Sequence, residues 1–106
     1  MAEDNLRYQP FPKALEAILE ERGLSQRQLS GLTKRHGEPL SNFSISRILV
    51  GELPPTLRSI SAISKALNLD PRTFADYRAL ELRDALNPAR SGYRKMVRTL
   101  RQLEGK

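Results

Sequence analysis

The sequence predicts an all-α fold, and three observations carry that reading. Apolar residues recur at helical spacing along most of the chain, helix-starting and helix-stopping residues bracket those stretches, and no run alternates apolar with polar as a half-buried strand requires. The composition agrees. With 39% hydrophobic but only 6% aromatic residues, a core must be built mainly from Leu, Ile and Ala, and 106 residues suffice for one domain rather than two.

Residues 1–10 read as a flexible polar tail in which Leu6 and Tyr8 are free to lie against the domain. The first helix spans 12–22: Pro12 suits a first helical position, Phe11, Leu15, Ile18 and Leu19 share a face, and Gly23 is a C-terminal stop. Its other face carries Glu16, Glu20 and Glu21. The second helix follows from Ser25 to about Lys34. Ser25 and Gln28 form a capping-box pair, Leu24 and Leu29 flank it as a hydrophobic staple, and Leu29 and Leu32 point inward.

A polar turn broken by Gly37 and Pro39 leads to a short helix over 42–50, capped by Ser41. Ile45, Ile48 and Leu49 form its buried stripe, which turns Asn42, Phe43, Ser44 and Arg47 outward, and Gly51 ends it. Pro54 and Pro55 exclude helix. Thr56 caps a fourth helix with Ile60, Ile63 and Leu67 inward and Leu57 beside them, stopped by Asn68 in a left-handed conformation. Asp70 and Pro71 start a fifth helix that extends to about Leu86. Asn87-Pro88 breaks the chain, and a last amphipathic helix over 88–103 carries Tyr93, Met96, Val97, Leu100 and Leu103 on one stripe beside Arg94, Arg98 and Arg101. The organisation is thus a tail (1–10), a helical domain (11–86) and a basic amphipathic segment (87–106).

Several function classes fall away. The chain has no cysteine, so it has no disulfide framework and no thiolate metal site. No apolar run approaches the roughly 20 residues that span a bilayer, and the N-terminus is not a signal peptide, which makes a cytoplasmic protein without membrane contact the expectation. His36 is the single histidine and has no ligand partner at metal spacing. Gly31 to Gly37 lacks the Gly-Lys-Ser/Thr ending of a phosphate-binding loop, and no nucleophile has a base partner. No enzyme, cofactor, metal or small-molecule ligand is expected. The net charge of +6 is concentrated late, since residues 71–106 hold nine of the 18 basic residues and four of the 12 acidic ones. A basic protein with no membrane signature suits a polyanionic partner.

Two short helices joined by a polar turn, the second with a polar outer face, make the outline of a helix-turn-helix. The order of LEAILEERGLSQRQLSGL, SISRIL, Gly51 with Pro55, and TLRSISAISKALNLD resembles the lambda-repressor-like, or Xre-type, helix-turn-helix domain over roughly residues 13–70. The resemblance implies five helices that bind double-stranded DNA, with the third in the major groove. It places Ser41, Asn42, Phe43, Ser44 and Arg47 on the groove-facing side, and Gln26 on a backbone phosphate. The chemistry fits those positions: Asn pairs with adenine and Arg with guanine, and Phe43 suits either a thymine methyl or the core. Arg27, Lys34, Arg35 and Arg58 are further phosphate candidates.

Three departures from the family pattern stand out. The turn KRHGEPL is about five residues longer than usual, which either adds Lys34, Arg35 and His36 to the phosphate contacts or tilts the third helix. Glu52 stands where a base is common, and Ser30 where alanine is. The expectation is a sequence-specific transcriptional regulator, dimeric through Tyr93, Met96, Val97, Leu100 and Leu103, because one short helix reads few base pairs. Two alternatives are a protein-docking module, such as an antitoxin or complex subunit, and non-specific nucleic-acid binding through the basic C-terminal helix.

Overall fold

The computed structural model describes residues 6–86, 98 and 100–104. Five α-helices follow one another: α1 (Phe11–Arg22), α2 (Gln26–Arg35), α3 (Asn42–Leu49), α4 (Leu57–Ala66) and α5 (Ala75–Leu86), with a 3-10 turn at Pro71–Thr73 before α5. Residues 6–8, 98 and 100–104 are also helical, and no strand occurs among the described residues.

Local capping explains where α2, α3 and α4 start. The Ser25 hydroxyl accepts the Gln28 N–H at 3.0 Å while the Gln28 side chain accepts the Ser25 N–H at 2.8 Å, satisfying two donors that the helix itself leaves open. Thr56 and Ser59 repeat the arrangement at α4, with serine doing the work usually given to Glu or Gln. Four helices end in the same way. The N–H groups of Gly23, Gly37, Gly51 and Asn68, and of the residue after each, bond back to carbonyls of the last turn, and all four residues have positive φ between 59° and 84°. Asn68 takes the left-handed conformation where glycine is more common, as expected.

The core gathers Phe11, Leu15, Ile18 and Leu19 of α1, Leu29 of α2, Ile45 and Ile48 of α3, and Ile60 and Ile63 of α4. Within this core α2 packs on α3 and α4, and α1 on α3. Two expectations need correction. The fifth helix does not run from Pro71: after the 3-10 turn Phe74 is extended (φ −91°, ψ 130°) and fully buried, its ring edge-on to Phe11 at 4.9 Å. Burying such a ring is worth about 1.5–3 kcal/mol, enough to offset one or two helical hydrogen bonds of about 1 kcal/mol each. Nor is the stretch before Phe11 loose as far as it is described. Leu6 is buried in the core, the Arg78 guanidinium donates to the Arg7 carbonyl, and the Phe11 N–H donates to Asp76 of α5 at 3.3 Å, while Tyr8 is exposed. Residues 1–5 lie outside the described residues, as do 87–97.

On the surface, Arg72 donates to both carboxylate oxygens of Glu81 (3.2 and 3.3 Å), and this bond and charge raise the guanidinium pKa further. Among the described residues no helix is long and apolar enough to cross a membrane.

The turn between α2 and α3 is the unusual part. Thr33, fully buried, accepts the Leu40 N–H at 2.9 Å and donates to the Ser30 carbonyl at 2.7 Å. Ser30 donates to the Leu40 carbonyl at 2.6 Å. Both backbone groups of Leu40 are therefore held by two hydroxyls one turn apart on α2. Outside this clasp Glu38 pairs with Lys65 of α4 at 2.5 Å, and the Leu40 side chain packs on the core. Replacing Thr33 with the isosteric Val strands the part-buried Leu40 N–H, so Thr33→Val should lower stability by about 1–3 kcal/mol in urea unfolding. Thr33→Ser should keep most of it, and an unshifted midpoint for Thr33→Val would contradict the clasp.

Candidate nucleic-acid interface

The buried stripe of α3 fixes which of its side chains face out. Ile45 and Ile48 are fully packed, so Phe43 and Arg47 lie on the opposite side, with Asn42 exposed in the first turn and Ser44 half-buried at the edge. Phe43 is 69% exposed, so it is not a core residue. The Arg47 guanidinium lies over its ring, 5.5 Å from the centroid, close enough for cation–π attraction. Its Nε is also 3.6 Å from a Glu52 carboxylate oxygen. Arg47 is thus flanked by a ring and a carboxylate.

Ser41 is the N-cap of α3, as the sequence predicts. Its hydroxyl accepts the Ser44 N–H at 3.0 Å and donates to the Ser44 hydroxyl at 3.0 Å, so both of its hydrogen-bonding roles serve the start of α3. Val50, not singled out in the sequence, is 66% exposed at the end of α3. With Phe43 and Arg47 it completes an i, i+4, i+7 row on the outer face, and that spacing was present in the sequence as a second row offset from Ile45 and Ile48.

The other candidates lie on three helix ends. Gln26, half-buried, and Arg27, exposed, open α2, while Lys34 and Arg35, both exposed, close it. At 1.5 Å per residue the two pairs stand about 12 Å apart, so they suit different phosphates. Arg58 is exposed in the first turn of α4, and His36 is exposed in the clasped turn. Among the described residues no group of three or more His, Cys, Asp or Glu is placed to hold a metal ion.

The sequence profile of the helix-turn-helix family matches residues 15–74, more than half of the chain. The chain belongs to the Xre/lambda-repressor-like helix-turn-helix family. No curated protein and no solved structure matches it. This helix-turn-helix protein is therefore a DNA-binding regulator, of a family that binds double-stranded DNA and is not known for catalysis. The matched region runs from Leu15 of α1 to Phe74, so α5 and everything after it lie beyond the family's shared part. Of the proposed dimerisation residues, Tyr93, Met96 and Val97 lie outside the described residues, while Leu100 and Leu103 are helical and exposed.

The arrangement at Ser41 makes a separable prediction. Ser41→Ala removes the α3 cap and should cost about 0.5–2 kcal/mol in thermal or urea unfolding. Ser41→Asp, which keeps an acceptor, should restore most of that stability, and equal stability for Ser41→Ala and the unmodified protein would remove the capping role.

Proposed function

We propose that the protein is a sequence-specific transcriptional regulator that inserts α3 into the major groove of double-stranded DNA and acts as a homodimer. The observation that carries this is the division of α3: Ile45 and Ile48 are buried, Phe43 and Arg47 stack on its outer face, and Asn42 is exposed in its first turn. In this reading Arg47 donates to guanine O6 and N7, Asn42 pairs with adenine, and Phe43 packs on a thymine methyl. Ser44 borders the same face, and Ser41 contributes chiefly by capping. Gln26, Arg27, Lys34, Arg35 and Arg58 hold phosphates, with the N-terminus of α2 adding its own donors. No cofactor is required, and the setting is the cytoplasm.

The homodimer draws support from the C-terminal part. Leu82, Leu86, Leu100 and Leu103 are the four exposed leucines among the described residues. In the predicted last helix Tyr93, Met96, Leu100 and Leu103 fall at spacings of three, four and three, the spacing of a helical seam that meets a partner, and Val97 lies beside it. Two copies would double a readout that one short helix keeps small.

The modest charge of residues 13–70, eight basic against six acidic, favours the alternative of a protein-docking module, and salt separates the two. A DNA complex should weaken with a log-log slope of roughly −0.9 per phosphate contacted; a shallow slope on every duplex would favour docking.

Two measurements test the reading itself. Arg47→Ala should cost about 1–3 kcal/mol on a duplex chosen by selection while leaving random-sequence binding nearly unchanged, and equal loss on both would remove the base-reading role. Leu100→Asp with Leu103→Asp should convert a dimer to a monomer in sedimentation equilibrium, and an unchanged mass would remove the seam.

A further inference from the structure

The end of α3 does more than stop the helix. In the left-handed termination shared by α1 to α4, the side chains of the residues five apart across the final bond are brought together. At α1 that bond joins Leu24 to Leu19, and both side chains belong to the apolar core. At α3 the same bond, Glu52 N–H to the Arg47 carbonyl at 2.9 Å, sets a carboxylate beside the outward arginine, Oε2 to Nε at 3.6 Å.

This pair does little for the fold. Both side chains are open to water, 41% for Arg47 and 65% for Glu52, where ion pairs contribute little. The carboxylate also stands at the negative end of α3, the unfavourable end for an anion. Gly51 already supplies the left-handed turn that ends the helix. A negative charge beside the face meant for a polyanion therefore needs another reason.

We propose that Glu52 is a specificity-determining residue that acts through Arg47, holding its guanidinium against Phe43 and penalising DNA whose bases do not accept it. The inference rests on the base-reading role of α3 given above. On a matching duplex the flanked guanidinium donates to a base edge without leaving its neighbours. On any other sequence Arg47 gains only by swinging to a phosphate. That move breaks the stack on Phe43 and leaves the Glu52 carboxylate unpaired among phosphates. The repulsion falls on the wrong complexes more than on the right one, so the ratio between them widens.

Equilibrium binding of the full chain tests this with E52Q, R47A and the double variant. The probes are the selected duplex and a scrambled duplex of the same composition at one salt concentration. E52Q should tighten the scrambled duplex by about two- to fivefold and change the selected one by less than ~twofold, so discrimination narrows. In the R47A background, E52Q should move both duplexes alike. Its melting temperature should be unchanged or slightly raised, which excludes loss of folding as the cause. Unchanged or wider discrimination in E52Q, or the same narrowing without Arg47, would overturn the role of Glu52. Absence of any preferred duplex for the unmodified protein would overturn the base-reading itself, and that result appears before any substitution is made.

Discussion

The hold of α2 on Leu40 is the constraint on which the recognition surface depends. Thr33 and Ser30 lie three residues apart, hence on one face of α2, and between them they satisfy both the N–H and the carbonyl of the last turn residue before the Ser41 cap. The start of α3 is thereby tied to α2 by hydrogen bonds as well as by packing. A turn of this length is ordinarily where a domain loosens, because each added residue carries backbone entropy and open polar groups. Here a buried threonine, a half-buried serine, the Gly37 reversal and the Glu38–Lys65 pair leave it little freedom. Ser30 and the longer turn are best understood as one adaptation. A serine that looks like a small-for-small exchange in sequence is the donor the extra residues require.

Much of this was legible in the chain, and the boundary of legibility is physical. The capping box at Ser25, the stops at Gly23, Gly51 and Asn68, and the Ile45–Ile48 stripe are written in residues at most a few positions apart, so local rules reach them. Phe74 and Leu6 needed partners far along the chain. An aromatic residue four places into an apparent helix leaves that helix because Phe11 waits across the core, and Leu6 is buried in a core assembled from distant helices, with α5 bonded to Arg7 and Phe11 beside it in sequence. The same applies to the site. The Ser41 cap and the outward direction of Phe43 and Arg47 followed from local pattern, but the exposure of Val50 and the pairing of Arg47 with Glu52 depend on how the helix ends in space.

In the proposed reading the surface that results selects by charge as well as by shape. Residues 13–70 are only slightly basic, and one of their acids stands beside the foremost arginine. Phosphate attraction is indifferent to sequence, so a domain that relied on it would bind widely. In the proposed reading the base-facing row of α3 is kept lightly charged, phosphate contacts are left to the ends of α2 and the start of α4, and the more basic residues lie beyond the region shared with the family. Assembly through the leucine seam would then supply affinity without adding charge to the reading face.

The most direct measurement is selection from a random duplex library with the full chain, sequenced to convergence. The account predicts a two-fold symmetric site whose half-sites are centred about one helical turn, 10–10.5 base pairs, or a multiple of it, apart, each with a fixed guanine. Recovery of no motif would contradict the central claim that α3 reads base sequence, and a single asymmetric motif would contradict its use in two copies.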